Sequence, residues 1–315
     1  MPVETDGVAL IAIDWGTTSF RAALVDGTGT VLDRIESPAG ILNVPDGDFG
    51  SAFDRLVGPW LQQDEVPVVA SGMIGSRQGW REAPYVECPA GAIDLAGKLV
   101  SVTSPAGHEV WLVPGVVRVD GDGVPDVMRG EETQIVGSLD KDDPPRRVFV
   151  LPGTHSKWVV VEEGRIARFA TFMTGELFAV LRGHSILGRL MVGDTHAADA
   201  FRRGVEFAGR AGAGLLKRLF SARTLPLFDK LPAAAVASYL SGLLIGQEIV
   251  EAGHWIGSPH IATGRPTIVG ASSLVQRYAE ALAILGIESR TGPEDAAVTG
   301  IRRILIGAGP LAAHR

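Results

Sequence analysis

The chain has 315 residues, 46% of them hydrophobic and 21% charged, and carries a net charge of −7. That is enough apolar material for two packed domains. The acidic balance sets the chain apart from general nucleic-acid and membrane-surface binders, which need a positive face. Cys88 is the sole cysteine, so no intrachain disulfide forms and a reducing compartment, the cytoplasm, is expected. The segment Met1 to Asp6 is polar and acidic, unlike a signal peptide. The most apolar stretch, Ala233 to Gly246, reads as too short to span a bilayer.

In chain order, strands are predicted at Leu10 to Ile13 and Arg21 to Val25, with Asp14-Trp15-Gly16-Thr17-Thr18-Ser19 between them. Further strands are expected at Val66 to Ala70 and Val110 to Val113, then a helix over Glu131 to Leu139 with acids in its first turn. The polar stretch Asp140 to Arg147, with Pro144 and Pro145, cannot extend either neighbour and marks a domain boundary. It divides residues 1–140 from 148–315. A strand over Val148 to Leu151 opens the second half and leads into Pro152-Gly153-Thr154-His155-Ser156 and a return strand, Lys157 to Val161. Helical patterns follow over Glu176 to Leu190, Thr195 to Phe220 and Ala233 to Ala252. A strand at Thr267 to Val269 meets Gly270-Ala271-Ser272-Ser273 and a helix from Leu274 to Leu285.

The two strand–turn–strand units match without a gap. Gly16 aligns with Gly153, Thr17 with Thr154, Ser19 with Ser156 and Gly27 with Gly164. Glycine admits the backbone N–H groups close to an anion, and the hydroxyls add donors. Two such tips, one in each half, suit a polyphosphate gripped from both sides of a cleft, and internal duplication itself speaks for a two-fold architecture. Only the first copy has a carboxylate, Asp14, where the second has Leu151. A single carboxylate beside phosphate oxygens suits Mg²⁺, which keeps waters in its shell.

Paired phosphate hairpins followed by strand-Gly-Ala-Ser-helix resemble the actin-like ATPase superfamily of sugar kinases, hexokinase, Hsp70 and actin. More narrowly, the chain is similar to the 2-dehydro-3-deoxygalactonokinase family. The segments behind that resemblance are Ile13 to Ser19, Ser71 to Ser76, Gln78-Gly79-Trp80, Met128 to Gln134, Leu151 to Trp158 and Thr174-Gly175-Glu176. The resemblance implies an α/β, two-domain actin-like ATPase (ribonuclease H-like) fold with an interdomain cleft. It implies ATP and Mg²⁺ as cofactors and phosphorylation of the 6-hydroxyl of 2-dehydro-3-deoxygalactonate. Gly16, Thr17, Thr18, Gly153, Thr154, Ser156 and Lys157 would take the phosphates, Gly270, Ala271 and Ser272 the adenosine, and Asp14 the metal. Many superfamily members begin the second loop with an aspartate; Leu151-Pro152 stands there in this chain, so Asp14 is the main metal candidate.

Phosphoryl transfer to an alcohol needs a carboxylate to accept the hydroxyl proton. In related kinases an aspartate in a Gly-Asp pair at a helix start serves, which places Glu131 of Gly130-Glu131 in that role, with Asp126 as the alternative. Alternatively, Glu131 and Glu132 only complement the helix dipole. A carboxylate substrate calls for an arginine able to bind it bidentately: Arg77 first, because of the glycine-rich turn before it, with Arg81 and Arg129 as alternatives. His155 is read as shaping its loop, and the Tyr239, Leu240, Leu243, Leu244 stripe as core. A kinase for another sugar or sugar acid, and a phosphohydrolase of the same superfamily, are the competing functions. Neither a nucleic-acid nor a membrane partner is expected, and a homodimer is left open.

Overall fold

The computed structural model describes residues 8–61, 66–119, 121–193, 195–212, 214–257 and 265–309. Its contacts divide into two units. The first comprises Met1–Pro145, Val161–Arg168 and Pro293–Arg315; the second comprises Arg146–Val160 and Phe169–Gly292.

In the first unit, β1 (Val8–Trp15) pairs antiparallel with β2 (Phe20–Asp26), which pairs antiparallel with β3 (Val31–Ser37). On its other side β1 runs parallel to β4 (Val68–Ser71). After β5 (Tyr85–Glu87) come β6 (Val100–Thr103) and β7 (Glu109–Leu112), and the six-stranded order is β3-β2-β1-β4-β7-β6. β8 (Gly115–Val119) and β9 (Pro125–Met128) join β5 in a separate three-stranded sheet. The two-residue period of β1 sends Ile11, Ile13 and Trp15 into one core with Phe20, Phe49 and Phe53. Trp15 meets the Phe20 ring edge-on at 4.8 Å. Leu10 and Ala12 are buried on the other face.

The second unit repeats the plan. β10 (Arg146–Leu151), β11 (Ser156–Glu162), β12 (Arg165–Phe172), β13 (Thr267–Ile268) and β14 (Arg290–Thr291) lie in the order β12-β11-β10-β13-β14. β10, β13 and β14 run parallel. Both large sheets therefore read third strand, second, first, fourth, then a further parallel strand. That shared order is the two-domain actin-like, ribonuclease H-like fold expected from the sequence. The repeat breaks at the hairpin turns: Glu163 and Gly164 both take positive φ in a two-residue turn, whereas the first hairpin closes over residues 27–30, with positive φ at Gly29.

Helices of the first unit are α1 (Phe49–Val57), α2 (Ala92–Ala96) and α3 (Glu131–Ser138). The second unit has α4 (Thr174–His184), α5 (Ala198–Gly209), α6 (Leu215–Leu219), α7 (Ser221–Leu227), α8 (Val236–Ile256) and α9 (Ser272–Ile284). The single helical pattern expected over Thr195 to Phe220 is two helices. Gly209, Gly212 and Gly214 fall where it breaks, and Gly212 sits at φ +92°. The apolar stretch read as ending at Gly246 runs on: Ala233–Ile256 spans 24 residues, long and apolar enough to cross a membrane by length and composition. Its apolarity is accounted for by burial, since Tyr239, Leu240, Leu243, Ile245 and Ile249 all lie in the cores of the second unit.

The last helix, α10 (Ala296–Gly307), corrects the expected division. The boundary at 140–147 places everything beyond it in the second domain, yet α10 belongs to the first unit and packs on α3 and α2. Glycine makes the α3–α10 crossing close. A Cβ on Gly137 would collide with the Ala296 carbonyl oxygen, and one on Gly300 with that of Thr133. Gly137→Ala is expected to destabilise the first unit by about 1–3 kcal/mol, as overpacking of a helix contact does. Gly183→Ala, in open space on α4, should be neutral or stabilising by up to about 1 kcal/mol through helix propensity. Denaturant titration of both variants measures the contrast.

Candidate active site

Three stretches of main chain converge in the first unit: the ends of β1 and β4 and the start of α3. The parallel register sets Asp14 beside Ser71. Gly72 follows at φ +94°, and a Cβ there would lie 2.8 Å from the Trp15 carbonyl oxygen and 3.3 Å from Asp14 Oδ1. Gly130, at φ +105°, would bring a Cβ to 3.2 Å from the Gly72 Cα. Only glycine allows this approach at positive φ. Asp14 also faces Arg21 across the β1–β2 ladder, Oδ2 to Nη1 3.6 Å. Burial pushes the Asp14 carboxyl above its ordinary range and Arg21 pulls it back.

The first loop is braced by the segment after β3. Gly16 N–H donates to the Ser19 carbonyl, and the Gly16 and Thr17 carbonyls accept from Ile41 and Leu42 N–H. Asn43 Nδ2 donates to the Thr18 and Pro38 carbonyls, and Trp15 Nε1 to the Ala39 carbonyl. A Cβ on Gly40 would collide with the Thr18–Ser19 peptide. This bracing leaves Thr17 and Thr18 exposed. Sequence reasoning missed Gly40 and Asn43, which lie outside every motif.

The α3 start separates two adjacent acids. Glu131 is half-buried, and its Oε2 accepts from the Arg129 N–H at 3.0 Å. Glu132 is 0% exposed, with both oxygens accepting from Gly130 N–H at 2.9 and 2.7 Å and Oε1 from Thr133 Oγ1 at 3.1 Å. Burial, then repulsion from Glu131, pushes the Glu132 carboxyl up to about 8, against the opposing pull of the Gly130 N–H and Arg129. The alternative acid, Asp126, lies on β9 opposite Arg118, its Oδ1 accepting from Val127 N–H.

Arg129 is 8% exposed. Its Nη2 donates to the Ala83 carbonyl at 2.8 Å and its guanidinium lies 4.4 Å over the Tyr85 ring. Nε and Nη1 are buried without a hydrogen-bond partner. Nη1 is so close to Gly75 that a Cβ there would approach it to 3.1 Å. A buried guanidinium with two unused donors is a site for an anion, because leaving them unpaired is costly. Arg77, the first choice from sequence, is 87% exposed beside Glu82 at 3.5 Å, and Arg81 donates to the Ser101 carbonyl.

In the second unit the other loop is braced by α4. The Thr154 carbonyl accepts from Glu176 N–H, and a Cβ on Gly175 would collide with the Gly153 carbonyl oxygen. His155 Nε2 pairs with Glu176 Oε2 at 2.5 Å, the loop-shaping part expected of it. Gly270 lies beside the same loop, where a Cβ on it would sit 3.6 Å from the Pro152 carbonyl oxygen, and Ala271 and Ser272 follow at the exposed start of α9. Thr154 is exposed, but Ser156 is not: its hydroxyl is buried against Tyr278 OH at 2.8 Å. The phosphate role expected of that hydroxyl is therefore corrected, since it is turned into the core. Lys157 is buried too, on the opposite face of β11 from Ser156 and Trp158.

Among the described residues no group of three or more His, Cys, Asp or Glu is placed to hold a metal by itself. Asp14 fits the one-carboxylate pattern of an ion that takes its other oxygens from phosphates and water. Burial raises the Cys88 thiol to about 11, which keeps it protonated and unreactive.

A family model described as 2-keto-3-deoxy-galactonokinase matches residues 14–304. The 2-dehydro-3-deoxygalactonokinase of Escherichia coli (strain K12) is 36% identical over 295 residues, covering 93% of this chain and 96% of that protein. A crystal structure of a Sinorhizobium meliloti protein described as a 2-dehydro-3-deoxygalactonokinase superposes with a TM-score of 0.86 at 35% identity, covering 96% of this chain and 99% of that one. At the level of fold alone, the activator of 2-hydroxyisocaproyl-CoA dehydratase from Clostridium difficile matches with a TM-score of 0.50 at 10% identity, over 97% of this chain and 98% of that one.

Glu132 gives the site a pH signature. A carboxyl raised from about 4.5 in the unfolded chain to about 8 in the folded one binds its proton more tightly when folded. Its contribution to stability is full below the unfolded value and is lost as pH rises toward 8. Glu132→Gln lacks that titration, so the variant's thermal midpoint is expected to gain several degrees on wild type between pH 5 and 8.5. Parallel scans in which the gap stays constant with pH would refute the assignment.

Proposed function

The chain belongs to the 2-keto-3-deoxy-galactonokinase family, and on that footing we propose that it transfers the γ-phosphoryl group of ATP to the 6-hydroxyl of 2-dehydro-3-deoxy-D-galactonate. The observation that carries the reading to this chain's own residues is Arg129. The substrate of such a kinase bears a carboxylate, and Arg129 offers two buried nitrogens, Nε and Nη1, without a hydrogen-bond partner close to the Asp14–Gly72–Gly130 convergence.

The roles follow from the surroundings of each residue. Arg129 binds the sugar-acid carboxylate and so fixes which end of the acceptor faces the reaction. Glu131, at the helix start beside Gly130, accepts the proton of the attacking 6-hydroxyl; the fully buried Glu132 holds Gly130 from behind and touches no substrate. Gly16, Thr17 and Thr18 in the first unit, and Gly153 and Thr154 in the second, take the phosphates of ATP through main chain and hydroxyls. Gly270, Ala271 and Ser272 bind the adenosine. Asp14 would hold Mg²⁺, which when bound neutralises the charge building on the transferring phosphate oxygens. The sugar-acid site thus belongs to the first unit and the adenosine site to the second. The lone cysteine, a protonated thiol, suits work in the cytoplasm.

ADP release with Mg-ATP should be rapid with 2-dehydro-3-deoxy-D-galactonate and at least about 10-fold slower with its gluconate epimer, since one misplaced hydroxyl leaves a site group unpaired. Phosphate release that ignores the acceptor would turn the reading toward a phosphohydrolase. Three variants separate the roles. Arg129→Ala should raise KM for the sugar acid by about 10- to 100-fold, the worth of one charged hydrogen-bonded contact. Glu131→Gln should lower kcat by about 100-fold or more with little change in KM. Asp14→Asn should lose about 100-fold in kcat while nucleotide still binds. If Asp126→Asn, and not Glu131→Gln, abolishes turnover, the base is misassigned.

A further inference from the structure

Behind the second loop lies a polar chain inside an otherwise apolar core. Glu248, on α8, is 2% exposed. Its Oε1 accepts from Trp158 Nε1 at 2.8 Å and its Oε2 from Tyr278 OH at 2.7 Å. Tyr278 OH also meets Ser156 Oγ at 2.8 Å, and Thr174 is a further hydrogen-bond partner of Glu248 and Tyr278. Ser156 is also a hydrogen-bond partner of Glu248. With Tyr278 donating to the carboxylate, the Ser156 hydroxyl donates to the tyrosine oxygen or to Glu248 itself, so the hydrogen bonds run from Ser156 toward Glu248 on either path.

These side chains stand on the elements that make up the proposed nucleotide site. Ser156 ends the phosphate loop, Thr174 starts the helix that braces it, and Tyr278 is on α9, whose first turn carries Ser272. A carboxylate buried in such a core costs stability that an apolar side chain of the same size would not. Packing around the loop is incomplete: a cavity of about 60 Å³ is lined in part by Gly153, Gly175, Leu274, Arg277 and Tyr278. Besides the bracing by α4, the hydrogen-bond chain tethers the end of the loop, at Ser156, to the core.

We propose that Glu248 and Tyr278 are positioning residues for the nucleotide, acting through Ser156 to fix the Gly153–Thr154 loop in its phosphate-binding geometry. The proposal rests on the nucleotide role assigned to that loop. Its consequence is selective: breaking the chain weakens ATP and leaves the sugar acid, bound in the other unit, alone.

The test is a double-mutant cycle on the full-length protein. Tyr278→Phe and Ser156→Ala each keep the side-chain volume nearly intact. Each should raise the Kd for ADP and for a non-hydrolysable ATP analogue, read by calorimetry, by about 3- to 10-fold, the scale of one buried hydrogen bond. KM for the sugar acid should stay within about twofold. Because both act through one link, the double variant should be no more than about twofold worse than either single one. Glu248→Gln should recover most of the affinity: its amide oxygen accepts from Trp158 and its amide nitrogen donates to Tyr278, which turns to donate to Ser156. Lowered thermal stability with unchanged nucleotide affinity, multiplying effects in the double variant, or a Glu248→Gln no better than Glu248→Ala would each overturn the proposal. A wild-type protein that binds neither nucleotide would remove the premise and the proposal together, an outcome distinct from wild-type binding that the variants fail to alter.

Discussion

The first unit depends on main chain touching main chain. Where β1, β4 and α3 meet, Gly72 and Gly130 occupy positive φ, and a single added carbon at either would press on a neighbouring backbone. That contact seats the Asp14 carboxylate beside the helix start bearing Glu131, so two acids come from segments more than 100 residues apart without any long side chain reaching across. Such a convergence is rigid for a simple reason. Peptide groups have far less freedom than side chains, and packed backbone leaves little room to relax. The same device recurs where α3 meets α10 and where Gly175 meets the second loop, so much of the architecture near the candidate site is set by where a Cβ is missing.

Two buried polar clusters, one behind the second loop and one beside the first, contrast in how they are satisfied. In the second unit, the Glu248 cluster is closed: the donors of Trp158, Tyr278 and Ser156 all find acceptors within the core. In the first unit, Arg129 is left with two unused donors and Ser71 with a buried hydroxyl that has no partner. A satisfied network is a structural element. An unsatisfied one beside a carboxylate and a left-handed glycine has the character of a ligand site, because the stability forgone there is recovered when a ligand binds.

Much of the fold was legible in the sequence because its signals are local. The two hairpins, the polar 140–147 stretch and the strand leading to Gly270 all stand out in short windows, through alternation, glycine–threonine turns and prolines. The doubled loop was readable since Gly16-Thr17 and Gly153-Thr154 sit at equal distances before Gly27 and Gly164. What escaped is long-range. No window around Ser156 shows that its hydroxyl is spent on Tyr278, over 100 residues away, and none shows that Glu131 and Glu132, adjacent and chemically alike, divide into a half-exposed and a wholly buried acid. What separates Arg129 from Arg77 was hidden for the same reason: a glycine-rich turn signals backbone access, but burial of the guanidinium depends on Ala83, Tyr85 and Gly75 arriving from elsewhere. Helix-terminating glycines near 209–214 were visible, yet the apolar positions on either side kept a common period and masked the break.

The return of α10 to the first unit has a temporal meaning. During synthesis the strands of that unit leave the ribosome early, but the helix that packs on α3 is made only after the whole second unit has been translated. Until then the glycine-lined faces of α3 lack their partner, and the first unit waits in an incomplete form while the second, continuous apart from the hairpin tip at 161–168, has all of its chain available. The last segment of the second unit is thus synthesised before the last segment of the first, the reverse of the usual N-terminal-first order of completion. The region carrying the proposed catalytic acids is the last to be finished, so a chain cut short between the second loop and α10 has made both phosphate loops and still lacks a completed unit behind Asp14.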